Sequence, residues 1–132
     1  RVPNDARDLA LMVARYHGDV HRAGELRPAT IADMLQRVDA YRKPERFNEF
    51  LQACSCDFHG RPGYADRPYP QPERLLQAFE AAKRVDAGAI AADLNRTISD
   101  PTQLPAAINA KLSETRIAEI RNRLASALPE RL

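Results

Sequence analysis

The stretch Tyr41–Pro70, YRKPERFNEFLQACSCDFHGRPGYADRPYP, decides how the rest of the chain is read. In its first half Phe47, Phe50, Leu51 and Cys54 recur every three or four positions, which places them on one face of a helix. Pro44 suits the first turn of that helix, because its missing amide hydrogen would have no partner there. From His59 to Gln71 the pattern breaks. Two glycines, three prolines and two tyrosines cannot continue a helix, so an ordered loop is expected. The order is therefore apolar helix, then the acidic Asp57, then a loop that must turn sharply.

Outward from this stretch the same helical period repeats. Ala6, Leu9, Ala10, Val13, Tyr16, His17 and Val20 mark a first helix, with Pro3 and Asn4 as its start and Gly24 as its stop. A second, opened by Thr30 or by Arg27-Pro28, carries Ile31, Met34, Leu35, Val38 and Tyr41. After the loop, a fourth begins at Pro72 with Leu75, Leu76, Phe79, Ala82 and Val85 inward. Gly88 to Leu94 makes a short helix, and Asn95 to Leu104, with Asp100-Pro101, reads as a surface loop. The end is helical from Pro105 to about Ala127, striped by Ile108, Leu112, Ile117, Ile120 and Leu124; Ser113 either interrupts it or caps a second segment. No alternating strand pattern, repeat or low-complexity segment is present. The expected fold is all-α, a compact bundle of about five to six helices.

Composition narrows the classes of function. A chain of 132 residues suits one domain and is long enough to bury roughly two-thirds of the surface its unfolded form exposes. With 20 basic and 18 acidic residues, a strongly basic nucleic-acid footprint is absent from the total, though a local patch is compatible with it. The apolar runs are too short to cross a membrane. Cys54 and Cys56 point to opposite sides of their helix and read as small core fillers, not as a disulfide or metal pair. With no signal peptide in view, they suggest a reducing cytoplasm. The opening Arg1-Val2-Pro3, without methionine, reads as an excised or proteolysed fragment.

Few residues carry chemistry. His17 and His21 stand at i and i+4, the spacing at which two imidazoles stack on one helix face and converge on one ion. Asp57, at a helix end beside a tight loop, is the natural third member. The alternative is that His17 donates to a backbone carbonyl at the core edge and His21 is solvated. In the loop, Arg61, Tyr64, Arg67 and Tyr69 mix cations with rings suited to a phosphate and a base or ribose; alternatively the tyrosines pack the loop and the arginines are solvated. Lys111, Arg116, Arg121 and Arg123 alternate with Glu114 and Glu119, as on a solvated helix face. No glycine-rich phosphate cradle and no nucleophile elbow is present.

Four ordered segments, RVPNDARDLALMVARYHGDVH, LQRVDAYRKPERF, DFHGRPGYADRPYPQPERL and INAKLSETRIAEI, resemble the C-terminal part of bacterial multifunctional CCA-adding enzymes, tRNA nucleotidyltransferases with an HD phosphohydrolase domain. The resemblance implies the end of an HD-type domain over 1–70 and a helical tail over 71–132. It implies that CTP and ATP are used, with Mg2+, by an N-terminal head that this chain lacks, to build or repair the 3′-CCA end of tRNA. It implies a 2′,3′-cyclic phosphodiesterase and phosphatase site using Ni2+ or another divalent metal. That site's earlier histidine and His-Asp pair would lie upstream of Arg1. His17 and His21 would be its later, catalytic histidines, Asp57 a metal ligand, and Arg61, Tyr64 and Arg67 contacts to tRNA. The parent would be an enzyme, a monomer or homodimer, and this part alone inactive. The alternative is a non-catalytic helical module for tRNA docking or dimerisation. Two stretches depart from the family pattern: Ser113-Glu114-Thr115 replaces a denser arginine run, and Asn95–Gln103 looks like an added loop.

Overall fold

The structure, a computed structural model, describes residues 4–126. The fold is all-α, as expected. Among the described residues there are six α-helices, one 3-10 turn and no strand. They group into two units divided after Leu76, inside the fourth helix.

In the first unit α1 spans Asn4–His21 and packs against α3, Pro44–His59. On α1, Met12 and Val20 are buried, while Leu9, Val13, Tyr16 and His17 are half-buried and Ala6 and Ala10 are exposed. The apolar stripe is therefore only partly covered, and its open side forms a groove of about 530 Å³ with Ala53 and Asp57 of α3. Gly24 does not stop α1. The helix ends at His21, and Gly24 lies in a 3-10 turn, Ala23–Glu25.

Helix α2, Pro28–Arg37, buries Ile31, Ala32, Met34 and Leu35. It ends earlier than the apolar spacing through Tyr41 suggested, and the reason is local. The Ala40 amide donates to Leu35 O at 3.0 Å and the Asp39 amide to Gln36 O at 3.1 Å. This is a Schellman cap, and it requires a left-handed residue at Asp39, whose φ is 58°. Arg46 donates to the Val38 carbonyl at 3.0 Å and helps hold this turn. On α3 the four expected residues Phe47, Phe50, Leu51 and Cys54 are all buried, with the two phenylalanine rings 6.2 Å apart.

Helix α4, Gln71–Lys83, begins in this unit with the fully buried Leu75. Its later residues Ala78, Phe79, Ala81 and Ala82 are buried in the second unit, whereas Val85 is half-buried beyond the helix end. There α5, Ala87–Thr97, packs against α6, Leu104–Ser126. Asp86 caps α5 by accepting from the Ala89 amide at 2.9 Å. The helix runs to Thr97 instead of Leu94, so the loop after it is short and closed by Asp100, whose carboxylate accepts from the Thr102 amide and hydroxyl. Helix α6 is continuous through Ser113, which neither breaks nor caps it; Ile120 and Leu124 are buried. Lys111 and Glu114 pair on its exposed side at 3.0 Å.

Candidate functional site

The packing of α1 on α3 gathers the residues singled out above. One ligand atom from each of His17, His21 and Asp57 lies within 4.8 Å of the others. The histidines meet edge to face, with ring centroids 5.6 Å apart. Their i,i+4 spacing puts them on one side of the last turns of α1, and Asp57, in the last turn of α3, reaches across. The open groove along α1 and α3 ends at His17 and Asp57.

Hydrogen bonds give the two imidazoles different roles. His17 Nδ1–H donates to the Val13 carbonyl at 2.8 Å, the backbone bond that the simpler reading of this residue described. That bond assigns the proton and leaves Nε2 with its lone pair, the arrangement by which ligating histidines are oriented. His21 is not solvated: its side chain is 15% exposed, with Nε2 3.1 Å from Asp57 Oδ2 and Nδ1 against the Tyr69 hydroxyl. Asp57 is held below the usual carboxylate range, first by the hydrogen bond from His21, with Arg61 and the histidines adding attraction. Arg61 approaches the same carboxylate oxygen at 3.6 Å. Burial pushes the Tyr69 hydroxyl well above the ordinary tyrosine range, with the charge of Asp57 adding to it.

The loop beside the cluster is built on an aromatic base. Phe58 stacks on Tyr69 with centroids 4.1 Å apart and planes 5° from parallel, and meets the Tyr64 edge at 5.1 Å. Gly63 supplies the turn's left-handed residue at φ 81°. His59 Nε2–H donates to the Arg67 carbonyl at 2.9 Å and closes the loop. Arg67 lies over the outer face of Tyr64, 4.1 Å from the ring centre, with Arg61 at 6.0 Å. Thus Arg61, Tyr64 and Arg67 share one exposed edge next to the histidine–carboxylate cluster, while both tyrosines also pack on α3.

Sequence reasoning grouped Tyr69 with the loop and passed over Phe58 and His59. No local pattern couples Tyr69 to His21, 48 positions away; tertiary contacts such as the stacking on Phe58 and the bond from Gln71 to the His21 carbonyl bring them together.

Comparison with known proteins agrees with the resemblance. The chain is 74% identical over 124 residues to the multifunctional CCA protein of Nitrosospira multiformis, covering 94% of this chain and 30% of that protein. It is 59% identical over 126 residues to that of Nitrosomonas eutropha, covering 96% and 31%. With that of Nitrosomonas europaea it shares 62% over 120 residues, covering 91% and 29%. The chain therefore spans about 30% of the length of the curated relatives it matches. No protein-family model and no solved structure matches it.

Proposed function

We propose, from a chain related over nearly its whole length to a segment of the multifunctional CCA proteins, that it forms the C-terminal part of such an enzyme. In this reading it supplies one side of a metal-dependent phosphohydrolase site and a loop that meets tRNA. Addition of C, C and A from CTP and ATP with Mg2+ belongs to the rest of the parent, so the chain alone adds no nucleotides.

The observation that carries the proposal is the cluster of His17, His21 and Asp57 donor atoms within 4.8 Å of one another. An imidazole and a carboxylate from this chain suit Ni2+ or a similar first-row divalent ion. His17 Nε2 and the Asp57 carboxylate would hold the ion, since the first has its lone pair free and the second keeps its charge. Such an ion, when bound, supplies Lewis acidity toward a phosphate ester. His17 is pre-aimed by its bond to Val13, His21 steadies Asp57, and Arg61 places a positive charge where a phosphate would approach. The remaining ligands would come from the parent's upstream residues, so hydrolysis of 2′,3′-cyclic phosphates by this chain alone is expected to be slow or undetectable.

The test is a nickel titration of the chain followed at its histidine resonances. His17 is expected to respond at low metal, with the response lost in His17→Ala and weakened in Asp57→Asn. A wild-type chain whose histidines ignore millimolar nickel would refute the metal reading.

A second reading, a non-catalytic tRNA-docking module, is favoured by one feature: the Arg67–Tyr64 stack carries an exposed cation and shares no residue with the cluster. It predicts tRNA binding that weakens with salt and survives His17→Ala and Asp57→Ala.

A further inference from the structure

Among the three clustered side chains, His21 has both ring nitrogens engaged, Nε2 by Asp57 at 3.1 Å and Nδ1 by the Tyr69 hydroxyl. His17, by contrast, hydrogen-bonds among the described residues through Nδ1, to the Val13 carbonyl. A metal ligand needs an imidazole lone pair directed at the ion. His21 satisfies that condition only by giving up one of its two present partners.

We infer that Tyr69 is a positioning residue of this site: its hydroxyl donates to His21 Nδ1, holds that imidazole in the Nε2–H tautomer, and makes His21 the donor that aims Asp57 instead of a third ligand. The inference rests on the reading of the cluster as a metal site for its functional meaning, but the hydrogen-bond order stands on geometry alone. A carboxylate oxygen accepts, so the His21 Nε2 that faces Asp57 Oδ2 at 3.1 Å carries the hydrogen. In a neutral ring Nδ1 is then the acceptor, and the partner there must donate. Tyr69 has the proton to give, because a phenol hydroxyl is an O–H donor and it meets Nδ1 directly.

The Tyr69 ring is placed independently of this bond. It lies flat on Phe58, 4.1 Å away and 5° from parallel, with the His59 ring edge-on at 6.0 Å. Phe58 also touches His21 directly, with centroids 5.9 Å apart. A phenylalanine at position 69 would therefore keep the stack and lose the hydroxyl alone. The resulting chain runs Tyr69 O–H to His21 Nδ1, then His21 Nε2–H to Asp57 Oδ2, with Arg61 on the same oxygen at 3.6 Å. Two side chains, His21 and Arg61, thus converge on one oxygen of Asp57, a residue that also lines the groove.

The experiment compares the wild-type chain with Tyr69→Phe in two readouts. The first is the ring-nitrogen NMR of His21 in mildly alkaline buffer without metal, where a free imidazole is neutral. Wild type is expected to show Nε2 protonated and Nδ1 bare, and Tyr69→Phe a mixture of tautomers, with His17 unchanged in both. The second is nickel affinity, expected to fall by about 10-fold to 100-fold in Tyr69→Phe, as for other residues that orient metal ligands. Protonation of His21 Nδ1 in the wild type, or identical His21 spectra in the two chains, overturns the inference. If wild type binds no nickel, the metal reading fails by itself and the tautomer comparison alone decides the role of Tyr69.

Discussion

The guanidinium of Arg67 lies over the face of the Tyr64 ring, 4.1 Å from its centre, and both belong to a loop closed by the bond from His59 to the Arg67 carbonyl. The planar guanidinium is thereby held over the ring, at a residue that is exposed. Such a plane suits a phosphate or a stacked base. Under the proposed tRNA contact, Arg67→Ala is expected to weaken tRNA binding at every salt concentration and to reduce the slope of log affinity against log salt by about 1. Arg67→Lys keeps the charge but not the planar fork, so it should restore the slope and only part of the affinity. Filter binding across a salt series measures both, and an unchanged slope in Arg67→Ala would remove this residue from the contact.

The same loop depends on a backbone that only glycine adopts easily. Gly63 has φ of 81°, and a Cβ built there would meet nothing within 4 Å. Any cost of Gly63→Ala is therefore backbone strain and not collision. It should destabilise the first unit by about 1–2 kcal/mol, with Gly63→Asn milder, since asparagine tolerates the left-handed region. Urea midpoints of the three chains provide the check; equal stability of Gly63→Ala would mean that this turn does not hold the observed conformation.

How far the sequence reveals this arrangement depends on burial. The α3 stripe was legible because Phe47, Phe50, Leu51 and Cys54 are all buried, so hydrophobic spacing and structure report the same face. Helix α5 buries no residue completely, and with no full stripe its length was underestimated. The end of α2 was hidden because its left-handed cap residue is Asp39, where glycine or asparagine would have been the signal. At the candidate site, the His17–His21 pair could be read from spacing alone. Asp57 joined it through a helix end and a family resemblance, and its approach to His21 exists only because α1 packs on α3. Tyr69 was out of reach of any local rule.

The buried stripe also sets where the first unit is most vulnerable. Phe47 and Phe50 are both fully buried and touch ring to ring. Truncating Phe50→Ala removes a large apolar group and leaves a cavity, at a cost of about 3–5 kcal/mol. Small domains have only about 5–15 kcal/mol in reserve, so the variant should be largely unfolded at moderate urea while Leu11→Ala, at a side chain that is 62% exposed, changes little. Circular dichroism during urea titration separates these outcomes; similar midpoints for the two variants would contradict the packing described.

Cys54 and Cys56 differ in reactivity and in their link to pH. Cys54 is fully buried, whereas Cys56, two residues along the helix, faces solvent. A thiol reagent at neutral pH should therefore label one of these two cysteines in the folded chain and the other only on unfolding. Burial, with the nearby Asp57 charge adding, pushes the Cys54 thiol from an ordinary 9.0 up to about 12. An acid whose folded pKa lies above its unfolded value keeps its proton when folded and loses it when unfolded across that window. Its contribution to stability is thus complete below pH 9.0 and is lost as pH rises toward about 12. Wild type should lose more stability between mildly and strongly alkaline buffer than Cys54→Ala, which has no thiol to ionise. Urea midpoints at the two pH values decide it: equal losses in both chains would show that Cys54 titrates alike folded and unfolded, and rapid labelling of both cysteines in the native chain would show that α3 does not bury it.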